Sequence, residues 1–180
     1  MSSSKRTGLI PLILSVFIIG ADQITKAIVV GNIAYHTIGP SFFGDFFRII
    51  HTRNPAIAFS IGSSLPEEVR SVLFIIIPLL ILTAAVVYFI KSDDLSGLQR
   101  WAAAGIIGGG LGNLIDRIFR PMGVVDFLDV KFFGIFGMQR WPTFNIADSA
   151  VVICGILLVV SMLIQIKDEE KLKKRDLKDA

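Results

Sequence analysis

Long apolar stretches alternate with polar connections along this chain. Four stretches are long enough to cross a bilayer, at about residues 9–30, 72–90, 101–119 and 144–166. A helix rises about 1.5 Å per residue, so roughly 20 residues cross a hydrocarbon core of about 30 Å, and a helix satisfies its own backbone polar groups in lipid. The pattern predicts an all-α integral membrane protein with four transmembrane helices.

The first apolar stretch has a second interpretation. It follows the basic residues Lys5 and Arg6, as the apolar region of a cleaved signal peptide does. However, residues 9–30 exceed the usual length of about 7 to 15 residues for such a region, and no Ala-x-Ala cleavage site follows them. A transmembrane helix is therefore the preferred interpretation, with a cleaved leader as the alternative.

Two of the connections are long, and each has its own character. Residues 31–70 include a β-branched and aromatic segment at 46–52, with turn signals at Gly39-Pro40 and Asn54-Pro55. This pattern predicts a small sheet-like loop domain outside the membrane. Residues 121–142 are rich in Phe and Gly and contain Trp141, a residue type enriched at membrane interfaces. We therefore expect contact with membrane lipid here.

The basic residues orient the helices. If both termini are cytoplasmic, ten lysine and arginine residues lie inside and seven lie outside, with Lys26 within the first helix. Six of the ten belong to the C-terminal segment, and cytoplasmic loops carry the excess of basic residues. We therefore expect a single membrane domain over residues 1–166, with outer loops at 31–70 and 121–142, and a basic cytoplasmic tail at 167–180.

Composition excludes several classes of protein. The chain is 53% hydrophobic and 18% charged, which does not fit a soluble domain, and its net charge of +3 is too small to indicate a nucleic-acid partner. A single cysteine, Cys154, excludes an intrachain disulfide. With only two histidines as further ligands, a Cys/His metal site is not expected. Cys154 is interpreted as a packing residue.

Charged residues occur inside the first predicted helix. Asp22 and Lys26 are four residues apart, the spacing and order that favour an ion pair on one helix face. A charged group in the middle of a membrane costs about 2.5–3.5 kcal/mol on insertion scales, so each needs a partner or a function. A buried structural pair is the preferred interpretation, and direct contact with a substrate is the alternative.

The third predicted helix combines small and polar residues. Glycines with small-xxx-small spacing indicate close helix packing. They are Gly105, Gly108, Gly109, Gly110 and Gly112. Next come Asn113, Asp116 and Arg117, spaced to form one polar face near the outer surface. Their pattern fits either a structural network or a functional site.

Two further aspartates fall at the same predicted depth. Asn145 and Asp148 share one face at the start of the fourth helix, where Asn145 could alternatively cap the helix. Asp126 lies just outside the third helix, in apolar surroundings. Because polar groups of the first, third and fourth helices fall in the outer half of the bilayer, we expect them to line one water-accessible pocket.

Five segments together resemble the bacterial lipoprotein signal peptidases, also called signal peptidase II. They are residues 22–26 (DQITK), 54–60 (NPAIAFS), 108–117 (GGGLGNLIDR), 124–127 (VVDF) and 144–149 (FNIADS). They follow the order of that family and span most of the chain. One departure is Ala56, where the family usually has glycine.

The resemblance implies an aspartic endopeptidase of the bacterial inner membrane, with Asp126 and Asp148 as its catalytic pair. It implies a supporting shell formed by Asp22, Lys26, Asn54, Gly109, Asn113, Arg117 and Asn145. The implied substrate is a prolipoprotein cut just before a cysteine that carries a diacylglyceryl group. That lipid lies in the outer leaflet, so the site is expected near the outer face. No cofactor or metal is expected, and we expect a monomer.

The chemistry of a carboxylate pair suits this activity. Two adjacent carboxylates share one proton, so one can activate water while the other donates to the peptide carbonyl oxygen. A serine peptidase with Lys26 as base is an alternative, although Asp22 is already positioned to pair with this lysine. A small transporter or proton pathway would also place carboxylates inside the membrane.

Overall fold

The computed structural model describes residues 8–55, 66, 68–69 and 72–179. Some predictions therefore fall outside the described residues. These are the structure of residues 56–65 in the first outer loop, including positions 56–60 of the second motif, and the placement of the basic residues Lys5, Arg6 and Arg70.

The described residues form four α-helices and a three-stranded antiparallel sheet with the order β1-β2-β3. The elements in chain order are α1 (Leu12–Asn32), β1 (Ile38–Phe42), β2 (Phe47–Asn54), a π-helical turn (Val72–Ile76), α2 (Ile77–Lys91), α3 (Gly97–Phe119), β3 (Val124–Val130), a short 3-10 turn (Ile135–Gly137) and α4 (Ile146–Asp179).

Three helical segments among the described residues are long and apolar enough to cross a membrane: Leu12–Asn32, Val72–Lys91 and Ile146–Arg175. Helix α3 has 23 residues, but its glycines and its polar C-terminal turns reduce its hydropathy. Many of its side chains are buried, since it packs between α1 and α4. The chain therefore has a mostly helical membrane fold with three apolar helices and a small sheet.

The start of α3 and the end of α4 differ from the prediction for clear local reasons. Helix α3 begins at Gly97, four residues early, because Ser96 and Gln99 form a capping box in which each side chain accepts a hydrogen bond from the other's backbone. Helix α4 continues to Asp179 and does not end near residue 166. Residues 167–179 contain five lysines, two glutamates and two leucines, which favour helix and outnumber the three aspartates, which do not.

The sheet joins the two outer loops. The prediction of a small sheet in the first loop is correct for β1 and β2, but the second loop also contributes β3, which pairs with β2. Val125 and Phe127 of β3 are buried against Val29 of α1, with Ile49 packed beside them. This apolar cluster fixes β3 over the end of α1 and turns Asp126, between the two buried residues, toward the opposite face of the strand.

Candidate active site

The two aspartates implied as a pair lie on separate elements that meet at the ends of the helices. Asp126 is in the middle of β3, opposite Thr52 of β2, and is only 4% exposed. Asp148 lies in the first turn of α4. A strand and a helix N-terminus therefore each present one carboxylate to the same region.

Asn145 connects the two aspartates. Its side-chain amide donates to Asp126 Oδ1 at 2.8 Å, and its backbone N–H donates to Asp148 Oδ2 at 3.1 Å. The Asn145 Oδ1 atom in turn accepts from the Asp148 backbone N–H at 2.9 Å. This reciprocal arrangement is a capping box at the start of α4. Asn145 therefore caps the helix and also contacts both carboxylates, so the capping role and the pocket role predicted as alternatives occur together.

Asn113 of α3 holds Asp148 from the other side. The Asn113 side-chain amide donates to Asp148 Oδ1 at 2.7 Å. Its Oδ1 atom accepts from Lys26 Nζ and from the Asn145 amide, both at 3.0 Å. The lysine donates only, so it fixes which end of the Asn113 amide is the acceptor and leaves the NH₂ group for Asp148.

Lys26 is the centre of a fully buried charge cluster. Its Nζ atom is 2.7 Å from Asp22 Oδ2 and 3.0 Å from Asp116 Oδ2, and all three side chains are 0% exposed. The predicted ion pair between Asp22 and Lys26 is therefore present. Because the Lys26 ammonium is committed to two carboxylates and to Asn113, it is poorly suited to act as the base of a serine peptidase.

The two carboxylates of this cluster also hold the backbone beside each candidate catalytic residue. Asp116 Oδ2 accepts from the Val125 N–H at 3.0 Å, one residue before Asp126. Asp22 Oδ1 accepts from the Ala147 N–H at 3.0 Å, one residue before Asp148. Lys26 thus links the segments that carry both aspartates.

Sequence reasoning missed the roles of two polar residues. Asp116 was noted on the polar face of α3 but was not included in the supporting shell. Gln23 was not singled out, yet its amide donates to Asp116 Oδ1 and to the Gly112 carbonyl, both at 3.0 Å. Arg120 completes this side with a 3.2 Å contact to Asp116. The sequence signal for Gln23 was its position next to Asp22, because a polar residue inside a predicted transmembrane helix needs a hydrogen-bonding partner.

The remaining shell residues, Asn54 and Arg117, interact with Asp126 or Asp148 directly. Asn54, at the end of β2, hydrogen-bonds the Asp126 side chain. Arg117 is half-buried and within electrostatic reach of both aspartates. Each therefore contributes to the electrostatic environment of the pair, and Arg117 supplies a positive charge beside two acidic groups.

Gly109 has a packing role. A Cβ atom placed on it would overlap the Ala147 carbonyl oxygen and would come within 2.8 Å of Val151 Cγ2. Since backbone cannot yield easily, Gly109→Ala is expected to push α4 from α3, lower the melting temperature and reduce activity by displacing Asp148. Gly20→Ala in α1 is the matched control because nothing lies within 4 Å of its added methyl group. Equal melting temperatures for the two variants would contradict this interpretation.

The pKa of Asp126 is raised, and burial of its side chain is the main cause. Burial, and after it the negative charge of Asp148, raises the pKa of Asp126 from 3.8 to about 7, although the hydrogen bond from Asn145 lowers it. A carboxyl group with this pKa carries a proton through most of the acidic range and can donate it near neutral pH.

These observations define a class of protein. A membrane fold that buries a carboxylate with raised pKa beside a second carboxylate is typical of an acid–base hydrolase of the aspartic type.

Comparisons with known proteins identify the family. A model of the signal peptidase (SPase) II family matches residues 14–164. The lipoprotein signal peptidase of Treponema pallidum is 47% identical over 159 residues, covering 88% of this chain and 86% of the relative. That of Borrelia hermsii is 51% identical over 156 residues, covering 86% and 90%. The chain belongs to the signal peptidase II family and is an aspartic peptidase.

A solved structure agrees in fold. A bacterial membrane enzyme determined by the in meso method at 2.3 Å resolution superposes with a TM-score of 0.74 and 32% identity, covering 88% of this chain and 90% of that one. The resemblance inferred from the five motifs is confirmed. The transporter or proton-pathway alternative is set aside, because the family is one of peptidases.

Proposed function

We propose that this peptidase removes the signal peptide of a diacylglyceryl-modified prolipoprotein by cutting just before the lipid-bearing cysteine, with Asp126 and Asp148 as its catalytic pair. The observation that carries the proposal is the bridge through Asn145, whose side-chain amide and backbone N–H bind one aspartate each. The names of the relatives, lipoprotein signal peptidases, support the substrate class.

The surroundings of the two aspartates suggest different starting roles. Asp148 accepts from Asn113 and from the Asn145 N–H at the N-terminus of α4, where the helix dipole favours negative charge. It is suited to take a proton from the attacking water. Asp126, with a pKa raised to about 7, is suited to donate its proton to the peptide carbonyl oxygen. In the second step Asp148 passes its proton to the leaving amine, a hydroxyl of the tetrahedral gem-diol returns a proton to Asp126, and the C–N bond breaks without a covalent enzyme intermediate.

The supporting shell holds these groups in place. Asn113 and Asn145 orient the carboxylates, and the charge cluster of Asp22, Lys26 and Asp116 anchors the backbone beside them. Preorganised donors of this kind need no rearrangement as charge develops, so they lower the barrier to reaction. We infer that Arg117 offsets the negative charge that the pair develops, and that Asn54 orients Asp126.

The proposed topology adds α3 as a fourth transmembrane helix. Its 23 residues extend about 35 Å, enough to cross a bilayer, and close packing against α1 and α4 shields its polar groups from lipid. With residues 1–166 as one membrane domain and both termini cytoplasmic, the C-terminal turns of α3 and the sheet lie at the outer face of the inner membrane. The substrate's lipid would anchor it at this level.

A cleavage assay tests this function. The purified chain should convert a diacylglyceryl-modified precursor to a shorter product that begins with the modified cysteine, as read by gel shift and mass spectrometry. The same precursor without lipid is the control and should be cut far more slowly. Equal cleavage of both precursors, or cleavage at another bond, would contradict the proposed substrate class.

The pH dependence of cleavage follows from Asp126. Its proton is needed for the first step and is lost as pH rises through about 7, so kcat/KM is expected to fall roughly tenfold per pH unit above that value. The measurement is a pH profile with the lipidated precursor in constant detergent. A rate that stays level to pH 9 would show that Asp126 is not the proton donor.

The stability of the folded protein should fall as pH rises, because of the raised pKa of Asp126. The folded-state pKa lies above the ordinary value of 3.8, so the stabilisation by protonated Asp126 is complete below about pH 4 and is lost as pH rises to about 7. The melting temperature should therefore decline over this range for the parent chain. Asp126→Asn, which cannot ionise, should flatten that decline and serves as the control.

A further inference from the structure

Three exposed phenylalanines share a rare backbone conformation. Phe43, Phe133 and Phe136 have φ angles of 53°, 55° and 52°, in the left-handed region. Each is followed by a glycine that also has a positive φ. A bulky residue with φ above zero is uncommon, and its backbone is strained by about 1–2 kcal/mol.

Two of these Phe-Gly pairs form tight turns of the type I′ class. The Ile135 N–H donates to the Phe132 carbonyl at 3.1 Å across Phe133-Gly134, and the Met138 N–H donates to the Ile135 carbonyl at 3.0 Å across Phe136-Gly137. The first position of such a turn favours asparagine, aspartate or glycine, which tolerate positive φ. The turn geometry alone therefore does not explain the phenylalanines.

Burial does not explain them either. Phe43 is 88% exposed, Phe136 is 86% exposed and Phe133 is 66% exposed. Each side chain thus combines backbone strain with apolar surface that the protein leaves uncovered. Backbone strain clusters at functional sites, and exposed apolar surface marks contact with a partner or a membrane.

The phenylalanine turns belong to one surface. Phe133 stacks on Phe46 of the β1–β2 connection with ring centroids 6.1 Å apart. Lys131 binds Asp45 of that connection at 2.8 Å, and Arg140 donates to the Asp45 carbonyl at 3.0 Å. The two loops are therefore tied together, and we call the three exposed side chains Phe43, Phe133 and Phe136 the phenylalanine tips.

The phenylalanine tips are attached closely to the helix ends. Strand β1 begins six residues after α1 ends, and Leu128 of β3 pairs with Phe144, two residues before α4 begins. Lys131 and Arg140 flank the tips, and aromatic residues beside basic ones are typical of the interface between lipid and water. The sheet is thus held next to the same bilayer that the apolar helices cross.

We propose that the phenylalanine tips insert into the interface of the outer leaflet and hold the sheet, and with it Asp126, against the membrane surface. The lipid covers the apolar surface that these three rings leave exposed in the chain. Membrane insertion of the tips would help the enzyme capture a membrane-borne substrate. The kinetic part of the test therefore rests on the proposed function.

Insertion is tested first without any peptidase assay. Phe136→Trp is reconstituted in vesicles of phosphatidylcholine and phosphatidylglycerol with bromine at shallow or deep acyl positions, and the fluorescence of Trp101 and Trp141 in the parent chain is subtracted. We expect strong quenching by shallow bromine. Leu177→Trp is the control, since that residue is 80% exposed on the C-terminal turns of α4. Quenching of residue 136 no greater than that of residue 177 would overturn the proposal.

The consequence for catalysis is tested with Phe43→Asn, Phe133→Asn and Phe136→Asn combined. Asparagine suits positive φ, so the melting temperature in detergent should be unchanged or higher. In proteoliposomes the KM for the lipidated precursor should rise about fivefold or more while kcat stays within about twofold, and tryptophan at the same positions should restore KM.

Other results of that experiment would overturn the proposal. An unchanged KM would show that the tips do not help capture substrate. A large fall in melting temperature would assign them to the fold, and conversion of a dimer to a monomer would assign them to a second copy of the chain. If the parent chain did not cleave the precursor, the proposed function would be contradicted. Membrane insertion would then be judged from the quenching experiment alone.

Discussion

Asp126→Asn and Asp148→Asn are each expected to reduce cleavage of the lipidated precursor by at least about 10³-fold, since one group would no longer accept or donate a proton in the reaction. Asparagine keeps the shape of aspartate, and Asn145 and Asn113 can still hydrogen-bond to its carbonyl oxygen. The folded protein should therefore persist, as judged by its melting temperature. The measurement is single-turnover cleavage followed by gel shift.

A third aspartate provides the matched control for these variants. Asp129 is also buried on β3, but it pairs with Arg48 and Arg140 at 2.6 Å each. Asp129→Asn is expected to lower the melting temperature and to leave kcat of the folded protein within about twofold, because this carboxylate makes structural ion pairs. Activity near the parent level in either Asp126→Asn or Asp148→Asn would remove that residue from the catalytic pair.

Much of the fold followed from the length and hydropathy of the apolar stretches. Helix α1 was predicted at residues 9–30 and lies at Leu12–Asn32, because an apolar stretch of that length is helical in lipid. The end of α4 could not be predicted from hydropathy, because hydropathy shows where a helix leaves the lipid and not where the helix ends. Glutamate and lysine continue α4 in water as well as leucine does in lipid.

Strand β3 could not be found from local pattern. Residues 124–130 are apolar with two aspartates, and their strand conformation depends on pairing with β2, some 70 residues earlier. Such long-range pairing leaves little local signal, because strand preference depends on neighbouring side chains. The second outer loop was therefore read only as an interface segment, and the surface that it forms with the β1–β2 connection became visible only in the folded chain.

The candidate site was predictable as a set of residues but not as a network. The motifs named Asn113 and Asn145, yet sequence spacing does not reveal that Asn145 bonds both aspartates. It also gave no indication that Asp22 and Asp116 bind the N–H groups just before Asp148 and Asp126. Apart from the local Asn145–Asp148 bond, these contacts join residues 9 to 125 positions apart, so they form only when α1, α3, β3 and α4 pack together.

Lys26→Met is expected to destabilise the protein by about 3–5 kcal/mol, since removing one partner leaves buried charge uncompensated. Asp22 and Asp116 are both 0% exposed and would face each other without the ammonium between them. Methionine keeps the length and apolar stem of lysine, so the loss would reflect charge more than volume. The measurement is thermal or denaturant unfolding of the purified variant in detergent.

The double variant Lys26→Met with Asp22→Asn separates the effect of charge from that of shape. Removing Asp22 as well leaves only Asp116 to be neutralised, and Arg120 still contacts it at 3.2 Å, so the pair of changes should cost less than the sum of the single changes. Activity should fall with stability in each case, since Lys26 holds both aspartate-bearing segments through these carboxylates. If Lys26→Met instead kept its melting temperature and raised only KM, the lysine would contact substrate directly, and the catalytic pair would be held by Asn113 and Asn145 alone.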